Sequence, residues 1–118
     1  ERALRVLAMM RALGGERTRV LWLSLPPMRD PKLSDRARLL NRIFAAAPAK
    51  AARVEYLELG MLISGPDGEY ATFVTDSEGR FVRLRIEDGV HYSPVGARAI
   101  ARWVVDWVEE RLSKVPAP

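Results

Sequence analysis

The chain has 118 residues, 48% of them hydrophobic, with one histidine, no cysteine and a net charge of +4. That length and apolar content suit one packed domain, while the lack of cysteine excludes a disulfide scaffold and any thiolate zinc site. No run nears the roughly 18 apolar residues of a membrane span, and the arginines alternate with Asp, Glu and Ala instead of forming a nucleic-acid patch with interleaved aromatics.

The opening "ERALRVLAMM" has the pattern of a helix interior, so the reading expects sequence upstream of it. Val6, Met9, Met10 and Leu13 recur at helical spacing, and Gly14–Gly15 stops the helix. "VLWL" at Val20–Leu23, with Leu25 beyond, reads as a short strand buried on both faces. Pro26 and Pro27 end it, because proline cannot donate to a ladder.

Ser34 then reads as a helix cap, with Asp35 in the first turn at the positive end of the dipole. Leu39, Leu40, Ile43 and Phe44 form the expected buried stripe, and Pro48 ends or kinks the helix. A second strand, Val54 to Leu59, completes a βαβ unit, which favours parallel pairing. "YATFV" and "RFVRLRI", joined by "TDSEG" with Gly79 in a left-handed position, predict an antiparallel hairpin. The last helix runs from about Pro94 to Leu112. Ser93 is its cap, Pro94 opens its first turn, and Ile100, Trp103, Val104, Trp107 and Val108 make its apolar face. "PAP" reads as a frayed tail.

Two parallel strands bury too little to stand well alone. The expected fold is therefore α/β: the C-terminal half of a three-layer αβα, flavodoxin-like, doubly wound parallel sheet with a β-hairpin excursion. The Val20–Leu25 strand is expected to lie against a missing N-terminal half or another chain.

The chemistry gathers at "EDGVHYSPVG". Asp88 and His91 stand three residues apart, so a tight turn brings their Cα atoms within about 7 Å. A carboxylate there can accept the Nδ1 proton, fixing the tautomer that leaves Nε2 to act as a base. Gly89 permits the tight path between them. On spacing alone, this tetrad is also compatible with a plain turn.

"DGVHYSPVGARAIARWV" resembles the last block of the SGNH, or GDSL-type, serine hydrolases, where an Asp-x-x-His loop supplies the acid and base of the triad. "VLWLSLPPMRDP", "LLNRIF" and "GPDGEYATFVTDSEGRFVRLRIEDGVHYSPVG" are similar to a bacterial cell-envelope branch of that superfamily whose function is largely unassigned. The resemblance implies that Asp88 is the triad acid and His91 the general base. It also implies a periplasmic or cell-envelope setting and a small ester substrate such as an acylated carbohydrate. It calls for no metal or organic cofactor. The family's Gly-Asp-Ser block and its oxyanion glycine and asparagine have no counterpart in these 118 residues. The reading therefore expects an SGNH-type esterase whose nucleophile lies outside this chain. An O-acyltransferase with the same triad, and a non-catalytic binding or assembly module, remain as alternatives. Ser24, Ser64 and Ser93 read as a strand-end hydroxyl, a turn residue and a cap. Trp22, Trp103 and Trp107 read as packing residues, Glu87 as an exposed charge, and Asp67, Asp76 and Glu78 as solvated turns because they lack a calcium-loop spacing.

Overall fold

The computed structural model describes residues 1–14, 17–76 and 78–114. The chain is α/β, and it divides into two compact units, Glu1–Gly60 and Met61–Pro118.

The first unit holds helix α1 (Arg2–Gly14), strand β1 (Val20–Leu23), helix α2 (Pro31–Ala46) and strand β2 (Val54–Leu57), with a single 3-10 turn at Ala47–Ala49. β1 and β2 pair in parallel, Val20 opposite Val54 and Leu23 opposite Leu57, so the βαβ unit forms as its pattern predicts. Leu7, Val20, Ala47 and Val54 make the core, with Trp22 and Ala51 packed against it. Of the doubly wound sheet, the described residues form these two parallel strands. In the expected α1 stripe, Val6, Met10 and Leu13 lie outside the described side chains, as Gly15 does outside the described residues. Leu7 is the buried residue, and Met9 is exposed.

Four expectations need correction in this unit. Helix α2 begins at Pro31, not after Ser34, because "Asp-Pro" is the stronger start. Asp30 accepts a hydrogen bond from Lys32 N at 2.8 Å and Pro31 fills the first turn without wasting a donor. Ser34 is instead buried inside the helix, where its Oγ accepts from Met28 N. The α2 stripe is not buried either: Leu39 is 50% exposed, Leu40 41% and Ile43 43%. A two-stranded sheet is too narrow to cover the whole stripe. Its cover reaches Ala37 and the half-buried Phe44, whose ring stacks on Trp22 at 4.4 Å. For the same reason β1 is not buried on both faces: Val20 is buried, while Leu21, Trp22 and Leu23 are half-buried. β2 is also shorter than expected, ending at Leu57.

The second unit holds strands β3 (Phe73–Thr75) and β4 (Phe81–Arg83) and helix α3 (Pro94–Ser113). The strands form the expected antiparallel hairpin, with Val74 opposite Val82, but are shorter than the β-type segments suggest. Gly79 takes φ +78° in the turn, where Asp76 Oδ1 accepts from Glu78 N and Arg80 N; Ser77 lies outside the described residues. Ser93 caps α3 by accepting from Gly96 N at 2.9 Å and donating to Arg83 O at 2.6 Å. Ile100 is buried on α3, and Trp103, Val104, Trp107 and Val108 are half-buried, with the Arg111 guanidinium over the Trp107 ring at 4.3 Å. The "PAP" tail lies outside the described residues.

Candidate active site

The segment between β4 and α3 is a loop closed on itself. Arg85 and Tyr92 form an antiparallel bridge, and Ile86 N donates to His91 O at 3.1 Å across its neck. The six residues from Ile86 to His91 are thereby tied at both ends. Ser93 N donates to Leu84 O one step further on, so the loop runs directly into the capped start of α3. The turn within it needs a left-handed residue, and Gly89 supplies it at φ +71°.

Asp88 organises the tip. Its Oδ1 accepts from Val90 N at 2.8 Å and from His91 N at 2.9 Å, an Asx turn that uses one oxygen. Its other oxygen, Oδ2, meets His91 Nδ1 at 2.5 Å. The structure thus brings together the two residues that the sequence singles out. The imidazole hydrogen bond, followed by the two backbone donors, holds the Asp88 carboxyl down to about 2, so it is an anion at neutral pH. An anionic acceptor at Nδ1 selects the tautomer whose Nε2 carries a lone pair. The His91 side chain is 75% exposed, so Nε2 is open to a reactant from solvent. Asp88 and His91 can therefore act as an oriented base, with the carboxylate stabilising the imidazolium that forms.

Beneath the tip lies a residue that the sequence reading passed over. Arg85 has no exposed surface, although it carries a full charge. Its guanidinium sits 5.3 Å from the Tyr70 ring centroid and 5.2 Å from that of Tyr92, and Nη2 donates to Val90 O at 2.5 Å. Burial pushes its pKa down, offset by attraction to Tyr92, Tyr70 and Asp88. The same burial pushes the Tyr92 phenol up to about 12. The signal in the sequence was the strand alternation: Arg85 follows the buried Leu84 just where the strand pattern breaks.

Among the described residues, the serines that the sequence offers as candidates are occupied elsewhere. Ser24, buried at the end of β1, accepts from Leu59 N at 2.8 Å. Ser93 is the α3 cap, Ser64 is buried, and Ser113 donates to Glu110 O. Glu87 is exposed. Asp67 accepts from Glu69 N, and Asp76 pairs with Arg80, so both work as turn residues. Among the described residues, no group of three or more His, Asp or Glu side chains is placed to hold a metal ion. No described helix is long and apolar enough to cross a membrane. A groove of about 570 Å³ between the hairpin and α3 is lined by Val74, Val82, Leu84, Ile100 and Trp103 among others, and neither Asp88 nor His91 borders it.

Residues 2–107 match the family described as "Protein of unknown function (DUF459)", and the chain belongs to that family. No curated protein matches it.

Proposed function

We propose that this chain supplies the acid and base of an SGNH-type serine esterase that removes small acyl groups, O-acetyl foremost, from cell-envelope carbohydrate. The observation that carries the reading is the 2.5 Å contact of Asp88 Oδ2 with His91 Nδ1, with the far side of the imidazole left exposed. The likeness of "DGVHYSPVG" and its upstream segments to that superfamily supports it, as does the ionised state of Asp88.

In this mechanism a serine from outside these residues attacks the ester carbonyl, and His91 Nε2 takes its proton. His91 then returns the proton to the leaving alcohol, giving an acyl-serine. Water attacks the acyl-serine in turn, with His91 again as base, and releases the acid. Asp88 stays ionised throughout and balances the imidazolium. Donors outside this chain hold the oxyanion. The nucleophile is assigned elsewhere because the Ser24, Ser93 and Ser113 hydroxyls already serve the backbone. The remainder of the domain, or a second chain, pairs with β1 along Val20–Leu25, and the protein works in the periplasm or cell envelope.

The test is hydrolysis of an activated acetate ester by the 118-residue chain and by the protein that carries it in full, each beside its His91→Ala variant. The expected result is background from the short chain and turnover by the full protein that falls on the order of 10⁴-fold in the variant. Turnover by the short chain that vanishes with His91 would move the nucleophile into these residues, with Ser24 the first suspect. Turnover by the full protein that ignores His91 would overturn the reading.

A further inference from the structure

We infer that Arg85 is a positioning residue: buried over the rings of Tyr70 and Tyr92, it anchors the Val90 carbonyl and so fixes the turn that presents His91 to Asp88. The inference deepens the proposed reading and rests on it for the roles of Asp88 and His91.

The tip of the loop has little cover of its own. Asp88 and His91 project from a loop whose own side chains are largely in water, and Glu87 and Ile86 beside them are exposed as well. An exposed imidazole samples many rotamers unless its backbone is held. The loop's backbone is held from two sides. Above, Asp88 Oδ1 accepts from Val90 N and His91 N. Below, the Arg85 guanidinium takes Val90 O. The Val90–His91 peptide is therefore gripped at both ends by groups of opposite charge, an anion on its N–H and a cation on its carbonyl. Charge-assisted bonds of this kind are about twice as strong as neutral ones.

The Arg85 side chain is itself restrained. It is buried, and its guanidinium lies within cation–π range of two rings, at 5.2 Å from the Tyr92 centroid and 5.3 Å from that of Tyr70. One of these residues, Tyr92, follows His91 directly and bridges Arg85 across the loop neck. The backbone of Arg85 is fixed as well: its N donates to Thr72 O at 3.2 Å, and its carbonyl accepts from Arg83 Nε at 2.9 Å. Lysine in its place would keep the charge but lose both the planar group and the directed N–H.

The chain has a single histidine, so long-range ¹H–¹⁵N NMR reads one imidazole without ambiguity. The spectra are taken well above the ordinary histidine pKa of about 6.5, where the neutral tautomers separate. In the unaltered chain the Nδ1–H form should dominate. In Arg85→Met its share should fall toward that of an unrestrained imidazole, and amide protection at Val90 and His91 should drop roughly 10-fold or more. Arg85→Lys should fall between the two. A melting point lowered in Arg85→Met with tautomer and protection unchanged would make Arg85 a support of the fold only and overturn the inference. Should Arg85→Met fail to fold, Arg85→Lys and Tyr92→Leu give the same reading, and unchanged tautomers in both would overturn it equally. Because the spectra need no substrate, an absence of esterase activity would sink the proposed reaction and leave this result standing.

Discussion

Gly96→Ala sets two well-known tendencies against each other. Alanine is the better helix former by up to about 1 kcal/mol, so on propensity alone the change should stabilise α3. The structure says the reverse. A Cβ built at Gly96 would lie 2.5 Å from Leu84 O and 3.1 Å from Leu84 C and Cα, all backbone atoms that no rotamer change can move. The start of α3 would have to retreat by about 1 Å to reach ordinary contact. That retreat stretches the bonds that seat the helix: Ser93 N to Leu84 O at 2.8 Å and Ser93 Oγ to Arg83 O at 2.6 Å. Overpacking of this sort costs about 1–3 kcal/mol and a weakened cap about 1 more. Set against the propensity gain, the net is a loss of about 2 kcal/mol. At roughly 4 °C per kcal/mol for a chain of this size, the melting point should fall by about 8 °C. Thermal unfolding followed by circular dichroism measures it. A variant that melts at or above the unaltered chain would refute the close approach of α3 to Leu84.

Three further changes probe other joints. Asp88 has a folded pKa below its unfolded value of about 3.9, so the stability it brings is whole at neutral pH and is lost as pH falls toward 2. Its carboxyl ¹³C signal should titrate near 2, and Asp88→Asn should flatten the acid limb of the stability curve; a midpoint near 4 would deny the His91 contact. Ser24→Ala strands the buried Leu59 N–H and should cost about 1–3 kcal/mol in chemical denaturation, whereas a neutral result would release Ser24 for other roles. Asp30→Ala should lose about 1 kcal/mol through the α2 cap, with peptide N–H exchange at Lys32 rising; if protection there is unaltered, the helix starts elsewhere.

What the sequence shows and hides follows from the range of the interactions. The βαβ unit, the hairpin, the Ser93 cap and the Asp88–His91 turn are all written in residues near one another, and they are found where the pattern puts them. The start of α2 was misplaced because two capping signals stood four residues apart, and only tertiary contact tells them apart. Ser34 turns inward to Met28 N, leaving Asp30 as the cap. The exposure of Leu39, Leu40 and Ile43 could not be read either, since periodicity marks an apolar face but not the width of the sheet that must cover it. Arg85 escaped for a related reason. An arginine in a charge-rich chain reads as surface, and only the arrival of Tyr70 and Tyr92 beside it makes it interior. Asn41 was missed in the same way: its side chain takes both the N–H and the carbonyl of Leu25, fixing the chain as it leaves β1.

The contacts that join Asp88 to His91 and hold Val90 span two to five residues along the chain. Contacts of such short range can close on the microsecond scale of hairpins, while Tyr70 has to reach Arg85 from before β3. The segment behaves as a cartridge. The span from Tyr70 to Gly96 contains Asp88, His91, the turn glycine, the arginine under them and both tyrosines. The serine of the proposed mechanism has no such economy, since it comes from outside these residues.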